Sequence, residues 1–497
     1  MNTQGTSKIR VRFAPSPTGY LHVGGARTAI FNWLFSKKHQ GDFLLRIEDT
    51  DRARSGEAMV EAIFAGLKWL GLDWNEEPVF QSQRASLYQS YAEKLLVTKK
   101  AFKCFCSQDK LREGRESAAK EKKTFQYDGA CRDLSQTELE SLQNNRAPYV
   151  IRLKVQKGYT EFHDSVFGDI KISHTQIDDF ILLRSNGMPT YHFAVVVDDH
   201  EMQISHVIRG DDHLSNTPKH ILLYQALDWP APQFVHLPLI LGRDQQRLSK
   251  RHGATAIGEY EKAGYLPEAM LNFLALLGWS SGDDRELFSR EQLISEFDLS
   301  GVMKKSAVFD ERKLQWMNSQ YLMQMDNESL LDRVLPGLVR ANILASELAE
   351  GDREYLLKIV RLLKPRLKLL SDFTEMARYF FEDPLSYDEK AVRKHWRHPD
   401  LVLHLHRLSD ALSAVQPFTG DAIETTVRTL AEKFGLSAAK LIHPMRVALT
   451  GVAASPGLFE VMEILEQETV LRRLRKAITY IRNKAADGTK KGIGVLD

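Results

Sequence analysis

Cysteine is scarce: the 497 residues hold three, too few for the disulfide framework that braces small secreted domains. No run of about 18 apolar residues occurs, which argues against a membrane-spanning helix. Internal repeats and low-complexity tracts are also missing. An excess of either charge is lacking too, since 67 Lys and Arg face 65 Asp and Glu. The net +2 means that any nucleic-acid surface must come from local basic clusters. The opening M-N-T-Q-G-T-S-K has no apolar core of a secretory leader, so a cytoplasmic location is expected.

What is present is an ordinary globular composition, 43% hydrophobic and 27% charged. A chain of this length predicts about three to five units. Its organising stretch is Arg12–Thr28, R-F-A-P-S-P-T-G-Y-L-H-V-G-G-A-R-T. Ile9, Val11 and Phe13 alternate as in a strand, and Pro15 and Pro17 end any ladder. Gly19, Gly24 and Gly25 permit close backbone approach, and the spacing of Ile30, Phe31 and Leu34 predicts a helix from near Ala26. Strand, loop and helix N-terminus together present backbone N–H groups to a phosphate, with His22 as a further donor. A structural turn carrying a surface histidine is the alternative.

Next, Phe43–Ile47 reads as a buried strand running into Glu48, Asp49 and Asp51. Ser55 is placed to cap a helix carrying Val60, Ile63, Phe64, Leu67 and Leu70. Strand–helix–strand–helix predicts a parallel sheet, with ligands beyond the carboxyl ends of its strands. Arg12, Ser16 and Glu48 fall at that edge. From Ala101 to Pro189 a polar stretch and short alternating runs (Tyr149–Val155, Asp169–Ile172) indicate an inserted α+β module. The sheet is expected to resume with strands Tyr191–Val197, Ile204–Ile208 and Phe234–Leu241 around a helix near Lys219–Ala226. Beyond Ala254 helices prevail, including Ala269–Leu277, Glu311–Tyr321, Tyr355–Leu363, Val402–Val415 and Leu458–Ile481. Two bundles are expected there, divided near Asp383–Pro399.

Cys104, Cys106 and Cys131 cluster tightly, which favours a metal site over chance. Structural zinc wants four ligands, and the fourth is open between Tyr127 and Asp133. Three buried cysteines in a reducing compartment are the alternative. R-L-S-K-R at 247–251 follows the strand Phe234–Leu241, and its cations could stabilise charge on a transferring phosphoryl group. A solvated loop is the plain alternative. Asp198-Asp199-His200 and Asp211-Asp212-His213 lack the further cluster that an open catalytic zinc site needs. Acid-poor basic runs lie between Lys358 and Lys368 and from Arg472 to Lys491, as an RNA-backbone footprint would.

These pieces resemble a known family. A-P-S-P-T-G-Y-L-H-V-G-G-A-R-T and R-L-S-K-R resemble the two signatures of class I aminoacyl-tRNA synthetases. R-I-E-D-T-D, I-R-G-D-D-H and H-P-M-R-V-A-L-T-G narrow the resemblance to bacterial-type glutamyl-tRNA synthetases, over essentially the full length. The chain departs from the class pattern with Gly25 in place of a second histidine, and with Arg247 and Arg251 in place of lysine and serine. The resemblance implies joining the α-carboxylate of glutamate to the α-phosphate of ATP, then passing glutamate to the terminal ribose of tRNA(Glu). That carboxylate, with a pKa of about 3.5, needs no general base, so catalysis rests on positioning and charge.

By the same resemblance ATP, with Mg2+, meets His22, Gly24 and Gly25 on one side and Arg247, Ser249 and Lys250 on the other, with His22, Lys250 and Arg247 catalytic. Glutamate is held by Arg12, Ser16, Glu48, Tyr191 and Arg209; Arg12 suits the side-chain carboxylate and Glu48 the α-ammonium. A structural zinc on Cys104, Cys106, Tyr127 and Cys131, tRNA-dependent activation and a monomer are further expectations. The implied fold is α/β, a Rossmann-type parallel sheet (1–105 and 190–253) split by an acceptor-binding insertion (106–189). A helical connecting domain (254–328) and two helical anticodon-binding domains (329–390 and 391–497) follow. Glutaminyl-tRNA synthetase is the nearest rival, but its opening loop typically reads P-P-E-P-N-G and its C-terminal part is β-barrel. A tRNA-binding protein without catalysis is the rival from another class.

Overall fold

The computed structural model describes residues 8–51, 56–123, 125–249, 255–345 and 350–491. The described chain forms two compact units, one built from residues up to Lys262 and from Pro267–Met317, the other from Ala263–Leu266 and from Asn318 onward.

The first unit begins β1 (Arg10–Phe13), α1 (Val23–Lys38), β2 (Asp42–Ile47), α2 (Glu57–Trp69), β3 (Val79–Phe80), α3 (Ala85–Val97). β1 pairs parallel with β2, matching Phe13 to Leu45, and β2 pairs parallel with β3. All of β2 is buried, as a strand covered on both faces by helices must be. The expected cap Ser55 lies outside the described residues, and Gly56 occupies the N-cap of α2 without a side-chain bond.

The insertion runs β4 (Ala101–Cys104), α4 (Gln108–Lys120), α5 (Gln136–Asn144), β5 (Val150–Leu153), β6 (Tyr159–Asp164), β7 (Gly168–Ser173), β8 (Ile181–Leu183). Antiparallel β4-β5-β8 forms its own sheet. The β6–β7 hairpin instead joins the main sheet, where Asp164 stands opposite Phe234.

Then come α6 (Tyr191–Glu201), β9 (His206–Gly210), α7 (Thr217–Ala226) and β10 (Gln233–Leu237). β9 and β10 pair in parallel, and Ser205 N–H donates to the Arg10 carbonyl at 2.9 Å, setting β9 beside β1. The chain turns outward in opposite directions from β1 and β9, the crevice where open α/β sheets bind ligands.

Tyr191–Val197 is a helix, not the expected strand. Its Val-Val-Val run favours extended structure, but Phe193–Asp199 are buried on every side, so no helical period shows in the sequence. β11 (Ile240–Leu241) pairs parallel with β12 (Ala307–Val308), a small exception to the helical reading beyond Ala254.

The second unit is helical among its described residues. The expected helices are found at Glu350–Leu363, Leu401–Ser413 and Leu458–Lys491, the last interrupted at Glu466 (φ 62°). Pro267–Ala275 and Glu311–Gln324 meet the two earlier expectations.

Candidate active site

The site begins with how α1 starts. His22 is its N-cap, so the helix begins at Val23, three residues before the expected start at Ala26, because the extended backbone of His22 (φ −88°, ψ 161°) lets the imidazole accept the Gly25 N–H at 3.1 Å. Nδ1 is thereby the acceptor, so the proton of the neutral ring sits on Nε2 as a donor. Burial and the nearby Arg247 guanidinium lower the His22 pKa and keep it neutral. A side chain at Gly24 would meet the His22 ring at 3.2 Å, so glycine there preserves the cap. The Gly25 N–H is spent on this cap and the Val23 N–H on the Thr255 carbonyl.

A cleft of about 840 Å³ opens at the carboxyl ends of β1, β2 and β9. Its lining includes His22, Gly24, Gly25, Arg247 and Ser249, together with Arg12, Ser16, Glu48, Tyr191 and Arg209. All described candidates from both halves of the sheet therefore share one cavity. Lys250 lies outside the described residues, as does Arg251. Arg247 is exposed and reaches Asp212 at 3.3 Å.

Buried charge organises the floor. Arg12 binds Asp199 through Nε (3.0 Å) and Nη2 (3.4 Å), and the fully buried Arg46 meets the same carboxylate at 2.6 Å. Arg46 also reaches Glu48 at 3.3 Å. Burial raises the Glu48 pKa, although Arg46 and Arg12 oppose the rise. Asp199 is held below the usual range because its two arginines outweigh burial. Asp198 is taken by Arg84 (2.9 Å), Gln81 (2.8 Å) and Tyr88 (2.9 Å), so neither aspartate of that pair is available to a metal.

Arg209 differs. It is 5% exposed, and it donates to His236 Nε2, His220 Nδ1, the Thr217 hydroxyl and the His213 carbonyl, all neutral. Burial pushes His213 down to about 4 and lowers His220 and His236, so these rings stay uncharged at neutral pH. Asn216 Nδ2 lies 3.3 Å from His213 Nδ1, marking that atom as an acceptor, and the Tyr191 hydroxyl donates to it at 3.0 Å. His213 also packs its ring against Tyr191, with centroids 5.7 Å apart.

Arg46, His220 and His236 were not among the candidates, and Asp199 was named only within the metal reading that was set aside. Arg46 left a signal, a charge inside the apolar run F-L-L-R-I. The others left none, because each acquires its partner only across the sheet.

The cysteines meet as expected. Their sulfur atoms lie within 4.8 Å of one another, and Cys106 and Cys131 are 3.6 Å apart. Sulfurs on one tetrahedral zinc would lie roughly 3.8 Å apart. The Tyr127 hydroxyl stands 3.4 Å from Cys104 Sγ and 3.8 Å from Cys106 Sγ. Asp133, the other candidate fourth ligand, pairs with Lys154 at the surface, 80% exposed.

The family model described as "tRNA synthetases class I (E and Q), catalytic domain" matches residues 8–316, and "Anticodon binding domain" matches 329–478. A glutamate–tRNA ligase of Moorella thermoacetica is 46% identical over 489 residues, covering 97% of this chain and 100% of that protein. One from Citrifermentans bemidjiense is 46% identical over 476 residues, covering 96% of this chain and 100% of that protein. The glutamate tRNA ligase of Elizabethkingia meningosepticum, solved in complex with its amino acid, superposes with a TM-score of 0.87 at 37% identity, covering 96% of this chain and 100% of that one. With the split sheet, the shared cleft and full-length similarity in hand, the chain belongs to the glutamate–tRNA ligase family of class I tRNA synthetases.

Proposed function

We propose that this chain activates L-glutamate with ATP and transfers it to the 3′ end of tRNA(Glu), releasing pyrophosphate and AMP. The observation that carries the choice of amino acid is the charge balance of the floor. Arg12, Arg46, Arg84 and Arg209 stand with Glu48, Asp198 and Asp199, leaving one uncompensated positive charge. Glutamate, with two carboxylates and one ammonium, supplies the missing negative charge. Glutamine would leave it unpaired, at roughly 3–5 kcal/mol in a buried site.

In this reading Glu48 takes the α-ammonium, Arg12 and Arg209 the side-chain carboxylate, and Tyr191 and Ser16 complete the amino-acid pocket. His22 Nε2–H, the Gly24 N–H at the N-terminus of α1, and Arg247, Ser249 and Lys250 meet the phosphates of ATP, with Gly25 leaving room for their approach. Mg2+ bound with ATP would neutralise phosphate charge. No group has to remove a proton from the attacking carboxylate, so positioning and charge account for the rate. The cysteines and Tyr127 fit a structural zinc that would tie the end of β4 to the 127–131 loop. We infer further that activation depends on tRNA, that the chain acts as a cytoplasmic monomer, and that 329–390 and 391–497 read the anticodon as separate domains.

Charging purified tRNA(Glu) and tRNA(Gln) with labelled glutamate and glutamine tests the proposal. Glutamate on tRNA(Glu) is expected; charging by glutamine alone would refute it.

A further inference from the structure

Asp164 sits at the end of β6, wholly buried, in the stretch inserted between the two halves of the sheet. Its Oδ1 accepts the backbone N–H groups of Val166 (3.0 Å) and Phe167 (2.9 Å). Its Oδ2 accepts His236 Nδ1 at 2.6 Å and the His236 backbone N–H at 3.2 Å. A carboxylate at that distance places the ring proton on Nδ1, so Nε2 turns a lone pair inward. Arg209 donates Nε–H to this lone pair at 3.1 Å, beside the Thr217 hydroxyl at 3.2 Å.

A guanidinium has five N–H donors in a fixed fork. In Arg209 four go to His236, His220, Thr217 and the His213 carbonyl, and the side chain lines the cleft with what is left. Holding those four fixes where the fifth can go. The His236 acceptor is the only one of the four whose character depends on a tautomer set by a carboxylate.

We propose that Asp164 is a positioning residue for amino-acid recognition: it holds His236 as the Nδ1–H tautomer, which keeps an acceptor facing Arg209 and so aims the guanidinium at the carboxylate of glutamate. The inserted stretch thereby takes part in choosing the amino acid, although no atom of Asp164 lines the cleft. This rests on the reading of the cleft as a glutamate site.

Asp164→Asn tests it. The amide carbonyl can still accept the Val166 and Phe167 N–H groups, while its NH2 faces Nδ1 and drives the ring proton to Nε2, against the Arg209 donor. In aminoacylation of tRNA(Glu) the KM for glutamate is expected to rise at least about tenfold. The KM for ATP should stay close to that of the unchanged protein, while the thermal midpoint falls by a few degrees, because the new NH2 also faces the His236 backbone N–H. In a His236→Gln background, where no tautomer exists to be set, Asp164→Asn should add less than about twofold. An unchanged glutamate KM, an equal rise in the ATP KM, or effects of the two substitutions that simply multiply would each overturn the relay.

If Asp164→Asn does not fold, His236→Gln and His236→Asn decide. The longer amide reaches Arg209 and should keep the glutamate KM several-fold below that of the shorter one; equal values overturn the relay. Failure of the unchanged protein to charge glutamate would overturn the functional reading beneath it instead, which separates the two results.

Discussion

In the proposed reaction Glu48 and Lys250 have roles of opposite charge, and they are tested in different ways. Burial raises the Glu48 pKa, so on acidification it takes up a proton earlier than an ordinary glutamate of about 4.3. Protonated Glu48 loses its attraction for the α-ammonium. The KM for glutamate should therefore climb as pH falls, starting above that value, while the KM for ATP does not follow; a glutamate KM flat down to pH 4.3 would remove Glu48 from this role. Lys250→Ala should lower the activation rate roughly a hundredfold, about 3 kcal/mol, with little change in glutamate KM. A loss confined to affinity would count against transition-state stabilisation. At this scale the sequence showed the cations and carboxylates of the cleft but not which of them were already paired. Arg12 and Arg209 look alike in the chain. Only folding gives Asp199 to Arg12 and four neutral acceptors to Arg209.

At the level of elements, His22 does two jobs, ending a loop and starting a helix. Substitution separates them. His22→Asn keeps a good N-cap and should leave the melting temperature nearly unchanged while slowing activation; His22→Ala should also lose about 1 kcal/mol of stability. Equal melting temperatures for the two variants would deny the cap a part in stability. The β4 exit makes a second prediction. Protein purified without chelator should carry about one zinc per chain by elemental analysis, and Cys106→Ser should reduce it. Stoichiometric absence of zinc would leave three free thiols. α2 was legible because its apolar residues recur with a helical period, and α1, although buried along most of its length, through the spacing of Ile30, Phe31 and Leu34 after the glycine loop; α6 was not. Buried on all sides, it has no polar face to mark the period, and its Val run spoke for a strand.

Across the whole molecule, the basic runs of the second unit divide into two kinds. Arg361, Arg366 and Lys368 are exposed, whereas Lys364 donates to the Met325 carbonyl. Arg472, Arg473 and Lys476 converge on Asp383, and Arg473 is 2% exposed and bound to the carbonyls of Tyr379, Leu449 and Glu382. Part of the tail's positive charge, that of Arg473 above all, is therefore structural rather than free for RNA. The KM for tRNA should rise steeply between about 50 and 200 mM salt, since phosphate contacts release counterions, and the KM for ATP much less. Arg366→Ala should flatten that slope, and Arg473→Ala should lower the melting temperature instead. If Arg473→Ala changed only the slope, its buried bonds would not be what matters.

Most of the local order, α6 excepted, and the motifs themselves were legible in the sequence alone. A loop of Pro, Gly and His between a strand and a helix, an acidic exit from a second strand, and a late R-L-S-K-R each declare themselves through neighbours a few residues away. What those neighbours could not decide was partnership at long range. Asp164 meets His236 from 72 positions away, and Arg12 meets Asp199 from 187. In an interior of low dielectric, a charge is defined by what folding places beside it. That pairing, found only in the tertiary structure, leaves one cation of the cleft uncompensated, the feature on which the proposed choice of glutamate rests.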